Sequence, residues 1–376
     1  MLVCADDCID NCRALNARHG MKILEIARLA NVSIATVSRT VNRVPTVDPA
    51  LARRIWRVIE KEGYYPNTHA RALGSGRSRV FGLMVPEVSN PFFPEVIQTF
   101  ARLGVQHNYE ILLSSVFQDR RLLETAARQM IQRRVDGVAI LTFGDEESVI
   151  DIFRRRRVPV FVIDADPAGR LLKSVRIDYE PGMRQTVQHL AALRHKRIAY
   201  VSGPARVKSE LMRKNAFQAC MKEIGLTLSP EILMEGDHTI EGGANAALAL
   251  ASRRERPTAV VCSDDLTAIG VMRKAFDLSF DIPGDLSVVG FDDIPFAQYV
   301  IPPLTTVQIS QKEIANLAFV ALLDAAEPAL DGDAGAVSSL ATYLVVRAST
   351  GMAPDRIREA RRSSPRGAYR QANRYV

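Results

Sequence analysis

No apolar run in the 376-residue chain reaches the length needed to cross a bilayer, so a membrane-spanning helix is not expected and the chain reads as soluble. The N-terminus lacks the basic start and continuous apolar stretch of a secretory leader. The five cysteines are odd in number and have no short paired spacing. That argues against a disulfide framework and for a reducing, cytoplasmic compartment. Three of them, Cys4, Cys8 and Cys12, form a ladder without an obvious fourth ligand, so no metal and no other cofactor is expected. No GxGxxG follows the first strand-like run, no GxxxxGKS/T occurs, and no nucleophile stands out with a base and an orienting group. An enzyme is not expected.

What is present is ordinary globular composition, 47% hydrophobic and 24% charged, with length for two or three compact units. The formal charge of +7 is uneven. Residues 21–79 carry +7 and residues 352–376 carry +5, which leaves −1 on residues 1–20 and −4 on residues 80–351. Basic ends bracket an acidic body, pointing to a polyanion as partner of the ends. Residues 1–20 read as an N-terminal extension, either disordered or upstream of a start at Met21. The Arg-, Ser- and Pro-rich residues 352–376 read as a disordered tail.

Residues 24–42 are the most informative stretch. Ile26, Ala27, Leu29 and Ala30 have the spacing of a short amphipathic helix. Asn31 tolerates the left-handed backbone of a tight turn, and Ser33 suits the N-cap of a second helix from Ile34. That is helix-turn-helix punctuation. If Val37 and Val41 face inward, then Ile34, Ala35, Thr36, Ser38, Arg39 and Asn42 lie on or near the outer face. Such a face fits a major groove, where an Arg can bond a guanine bidentately. Asp48 and Pro49 open a third helix that Gly63 ends. Residues 67–73 read as a brief helix, marginal in isolation, followed by a flexible basic linker.

From Val80 the rhythm changes. Strand-like runs at 80–85, 110–115, 138–141, 158–163, 198–201, 259–262 and 286–290 alternate with helical patterns at 94–107, 120–133, 182–193, 209–224, 242–252 and 266–276. Apolar strands separated by helices predict parallel sheets covered on both faces. Two such blocks predict two Rossmann-like subdomains, with a ligand crevice at the carboxyl ends of their strands.

The chain resembles the LacI/GalR family of bacterial transcription regulators over residues 22–351. The motifs are ATVSRTVN (35–42), GYYPN (63–67), NPFF (90–93), KRIAYVSGP (196–204), SVVGFDD (287–293), PPLTTV (302–307) and LVVRASTG (344–351). The resemblance implies an α/β protein with a helix-turn-helix domain (21–66), a hinge helix and linker (67–79), and two subdomains of periplasmic-binding-protein type. The first subdomain is expected at 80–164 plus 308–336 and the second at 165–307 plus 337–351. It implies a homodimer on double-stranded, pseudo-palindromic operator DNA, with no membrane partner. DNA contacts would come from Ser33, Ile34, Ala35, Thr36, Ser38, Arg39, Asn42, Asn67 and Ala70, and Leu73 would wedge between central base pairs. A small sugar-like effector would be held by Phe92, Phe93, Asp164, Arg213, His238, Asp264 and Asp292. Rings stack on sugar C–H faces while charged groups bond hydroxyls. His238 departs from the aromatic residue common in relatives, and Arg194 and Ala216 replace usual glycines. No leucine heptad follows Gly351, which favours a dimer over a tetramer. Repression is the family's usual mode. The rival reading, a two-lobed sugar-binding protein for transport or sensing, calls for a secretion signal and no DNA-binding head.

Overall fold

The computed structural model describes residues 23–41, 44, 46–64, 77–116, 119–142, 146–165, 171–226, 229–327 and 338–355, in two compact units divided after Ser78. The expected extension, most of the expected hinge segment and nearly all of the tail lie outside the described residues, as do Asn42, Asn67, Ala70 and Leu73.

The first unit contains helices α1 (Ile23–Leu29), α2 (Ile34–Val41) and α3 (Pro49–Glu62). Asn31 turns the chain at φ 49°, and the Ser33 hydroxyl accepts from the Thr36 N–H at 3.2 Å. Asp48 caps α3 through the Ala50 and Leu51 N–H groups at 3.0 and 2.9 Å, and Gly63 closes it at φ 61°. Each such N-cap contributes about 1 kcal/mol. Ile26, Ala27, Ala30, Val37, Ile55 and Ile59 form the small core. Thr40 is buried more deeply than the expected Val41, because its hydroxyl is satisfied by the Thr36 carbonyl at 2.9 Å.

The second unit is built on two six-stranded sheets. The first contains β1 (Val80–Val85), β2 (Glu110–Ser115), β3 (Gly137–Ile140), β4 (Val160–Ile163), β5 (Leu172–Asp178) and β11 (Ser338–Ala341), all parallel in the order β2-β1-β3-β4-β5-β11. The second contains β6 (Ile198–Ser202), β7 (Leu233–Glu235), β8 (Ala259–Cys262), β9 (Ser287–Asp292), β10 (Thr305–Gln308) and β12 (Tyr343–Val345), in the order β7-β6-β8-β9-β10-β12. Only β12 runs antiparallel to its neighbour. The inner strands β3, β4 and β8 are buried at every position, as continuous apolar runs between helical layers must be. Helices α4 (Phe92–His107), α5 (Arg120–Gln132), α6 (Glu147–Arg155) and α11 (Gln311–Ala326) belong to the first lobe. Helices α7 (Glu180–Ala192), α8 (Lys208–Glu223), α9 (Ile240–Ala251) and α10 (Asp265–Asp277) belong to the second.

The chain passes between the sheets three times, after Asp178, after Gln308 and after Ala341. Two expected boundaries therefore move. The division at 164/165 placed β5 in the second subdomain, but β5 pairs with β4 from Val160↔Leu172 to Ile163↔Val175. The division at 336/337 placed β11 in the second, but β11 pairs with β5. Thr342 binds two of these crossings together, its hydroxyl donating to the Asp178 carbonyl at 2.8 Å and accepting from the Gly182 N–H at 3.1 Å.

Phe319 of α11 meets the rings of Phe81, Phe100 and Tyr109 and so pins that helix to its sheet. Phe319→Ala should cost about 3–5 kcal/mol of stability. Urea unfolding checks this, and a loss below ~1 kcal/mol would mean that the cluster does not anchor α11.

Candidate functional site

In the head, the outer side of α2 exposes Ser33, Ile34, Ala35 and Arg39, while Thr36 and Ser38 are half-buried. Ile34, an apolar residue 44% exposed at a helix start, has no place in the head's own core. The Ser33 and Thr36 hydroxyls bond each other at 2.9 Å, which orients both at the helix N-terminus.

In the body, a cleft of about 470 Å³ opens between the lobes, bounded by the carboxyl ends of β1, β3, β8 and β9 and the starts of α4 and α8. The first lobe supplies Phe92 and Phe93, packed edge to face with centroids 5.2 Å apart at the start of α4. Asn90 fixes that start by accepting from the Phe92 N–H at 3.0 Å. Thr142 joins them and donates to the buried Glu146 at 2.5 Å.

The second lobe supplies the charge. Arg213, 5% exposed, stands over the rings of Phe291 at 4.4 Å and Tyr179 at 5.4 Å, and donates to the Ser263 carbonyl at 2.5 Å. Its guanidinium is 3.3 Å from Glu210, one turn earlier on α8, and 3.7 Å from Asp292 at the end of β9. His238 Nε2 stands 3.2 Å from Glu210, an ionic contact not aligned as a hydrogen bond, and Nδ1 stands 3.9 Å from Asp264. Asp264 caps α10 through the Thr267 N–H at 2.7 Å. Its second oxygen makes no hydrogen bond.

These contacts set the protonation states. Burial disfavours the Glu210 anion, but Arg213, His238 and the Gly203 N–H outweigh it and hold the carboxyl at about 2. Burial likewise opposes a charged His238, yet Glu210 and Asp264 raise it to about 9. Asp292 goes the other way. Burial pushes it up to about 7, with the Asp264 charge adding and Arg213 only partly offsetting.

Six of the seven expected effector residues, Phe92, Phe93, Arg213, His238, Asp264 and Asp292, are thus brought together around one cavity. Asp164 is not among the residues that line it. Its two carboxylate oxygens are occupied, one by the Ile177 N–H and the other by the Tyr179 hydroxyl, both at 2.7 Å. It latches the end of β4 to the first crossing. Sequence reasoning missed Glu210, Asn90 and Thr142. Glu210 had a signal, an acid three residues before Arg213 on one helix face.

The comparisons with known proteins divide the chain in the same way. Residues 22–67 match the family described as "Bacterial regulatory proteins, lacI family", and residues 187–350 match "Periplasmic binding protein-like domain". Catabolite control protein A from Priestia megaterium is 32% identical over 297 residues, covering 79% of this chain and 90% of its own. The ribose operon repressor of Escherichia coli (strain K12) is 29% identical, covering 80% of this chain and 91% of its own. A crystal structure of the lac repressor dimer bound to operator and the anti-inducer ONPF superposes with a TM-score of 0.78 at 24% identity, covering 88% of this chain and 99% of that one. That likeness establishes the fold.

The Glu210–His238 contact makes a directional prediction. A base raised from 6.5 to about 9 contributes stability that is complete below pH 6.5 and lost as pH rises through 9. Glu210→Gln should bring the His238 midpoint down toward the ordinary imidazole range, followed by the histidine ring signals in NMR. An unmoved midpoint would show that Asp264 alone sustains the charge.

Proposed function

Because the chain belongs to the lacI family of bacterial regulatory proteins, we propose that it is an effector-responsive transcriptional repressor that binds a pseudo-palindromic operator as a homodimer. The observation that carries this reading is the pairing, in one chain, of an exposed groove-sized helix face with a charged cleft between two lobes. The head would read base edges through Ile34, Ala35 and Arg39, supported by Ser33, Thr36 and Ser38 at the helix start. Asn42, Asn67, Ala70 and Leu73 complete the expected DNA contact set, with Leu73 as the apolar wedge. Phosphate neutralisation by the basic head supplies the sequence-independent part of affinity and makes it salt-dependent.

The cleft would hold a small polyhydroxylated effector. Phe92 and Phe93 offer faces for sugar C–H groups, and Arg213, Asp264 and Asp292 offer partners for hydroxyls. The kinship to a ribose operon repressor supports a sugar-type ligand. Binding that closes the lobes changes the relation between them, and by linkage the operator and the effector alter each other's affinity by one common factor. Three side chains of the segment following β9 support a second copy as partner: Phe296, Tyr299 and Ile301 are exposed, Ile301 at 94%. Carbohydrate-utilisation genes are the proposed targets.

Selection of DNA from a random pool by the full chain, at a fixed salt of about 0.15 M, tests the reading. An inverted repeat supports it, and enrichment of no sequence overturns the specific-operator claim. On that operator Arg39→Ala should cost about 1–3 kcal/mol and relax one position of each half-site. Equal losses on operator and random DNA would reassign Arg39 to the phosphates. Arg213→Ala should keep operator binding and lose the ligand response. A ligand response equal to that of the unmodified chain would remove Arg213 from the site.

A further inference from the structure

Within the cleft, the charges of Arg213 and His238 are already spent on the protein itself. Arg213 faces Glu210, Asp292 and the Ser263 carbonyl, and His238 lies between Glu210 and Asp264. The carboxyl groups outnumber them and are only partly matched. Asp264, 2% exposed, lines the cavity with one carboxylate oxygen that makes no hydrogen bond. Asp292 lines the same wall, and its nearest cation is Arg213 at 3.7 Å. At the rim, Glu87, Glu235 and Asp237 accept, among the described residues, only from hydroxyl or backbone N–H groups, of Ser89, Ala205 and Thr239, and form no ion pair there with a Lys or Arg. Six carboxyl groups therefore face three cationic side chains, Arg206, Arg213 and His238, and the acids stay in excess even with Asp292 half-protonated near pH 7. A second anion brought here would meet uncompensated charge in a partly dry site, where such repulsion is strong.

We infer that the effector of this cleft carries a basic amine on a polyhydroxylated frame, with its ammonium group against Asp292 and Asp264. This deepens the effector reading above and rests on it. Arg213 Nε, buried and without a hydrogen bond, remains as a donor for one ligand hydroxyl. Phe92 and Phe93 on the facing lobe cover the carbon frame. The cavity of about 470 Å³ admits a molecule of monosaccharide size. Sugar acids and phosphorylated sugars are excluded by the same charge, His238 included, because its own charge is held by two carboxylates.

The test is calorimetric and thermal-shift binding to the full chain at pH 7. The probes are glucosamine, galactosamine, mannosamine and glucamine, set beside the N-acetyl forms of the three amino sugars, the parent sugars and glucuronate. At least one amine should bind about tenfold or more tighter than its uncharged counterparts, and Asp292→Asn should erase most of that preference. Where Asp292→Asn fails to fold, the rim change Glu87→Gln should lower the preference by a smaller factor. Equal or tighter binding of a neutral sugar or of glucuronate, abolished by Arg213→Ala, overturns the amine requirement and leaves the effector cleft standing. Amine binding indifferent to Arg213→Ala and Asp292→Asn places the ligand elsewhere and overturns both. Binding by none of the amines also overturns the inference, while the ligand response of Arg213→Ala on the operator decides the effector reading separately.

Discussion

A guanidinium without bulk water is the constraint around which the body is arranged. Removing Arg213 from solvent costs several kcal/mol unless charge and hydrogen bonds replace its hydration. The replacement comes from four separate pieces of chain: Glu210 on α8, the Ser263 carbonyl after β8, Asp292 at the end of β9, and the Tyr179 and Phe291 rings. Satisfying one side chain thus fixes the relative heights of three elements of the second lobe and places one of them beside the first crossing. Glu210 in turn accepts from the Gly203 N–H at 2.7 Å, carrying the same network to the loop after β6.

The backbone bears part of the cost. Asp164, His238, Asp292 and Asp293 all have positive φ, at 54°, 64°, 108° and 53°. Three of them stand at strand ends or beside them, and residues other than glycine persist there only when surrounding contacts over-determine them. The contacts are present. Asp164 is held by Ile177 and Tyr179, and Asp293 accepts from Arg347 at 2.6 Å and Gln308 at 2.5 Å. Asp292 is gripped through its carbonyl by Gln311, the first residue of α11, at 2.8 Å. The first lobe's helix therefore begins on the floor of the second lobe's site, so a ligand that moves Asp292 acts directly on α11.

Much of this was legible in the sequence because local chemistry decides it. Asn31, Ser33, Asp48, Pro49 and Gly63 punctuate the head as their side chains require, and the apolar runs that became β1, β3, β4 and β8 signalled buried parallel strands. β5 was missed because LKSVRID alternates polar residues and lacks the apolar continuity of its neighbours, although its pairing with β4 shows it to be an inner strand. The boundary at 164 failed for the same reason, since the last apolar run before the crossing ended at Ile163. Glu210 was missed because an acid on an amphipathic helix ordinarily faces water, and only the fold brings Arg213, His238 and the Gly203 N–H around it. Asp164 shows the converse. Its position suited a ligand contact, but the geometry of β5 and Tyr179, invisible along the chain, occupies both of its oxygens.

The threefold crossing between the sheets has a consequence for biosynthesis. β11 and β12 span residues 338–345 and complete the edges of opposite sheets, so the first sheet lacks a strand until the ribosome has passed residue 341 of 376 and the second until residue 345. Among the described residues, the core and caps of the head lie within residues 23–64. Because domains fold in order of emergence, a nascent chain presents a finished DNA-reading surface well before the apparatus that governs it exists. A premature stop just before residue 338 strips one strand from each lobe at once, and leaves that head attached to two unfinished sheets.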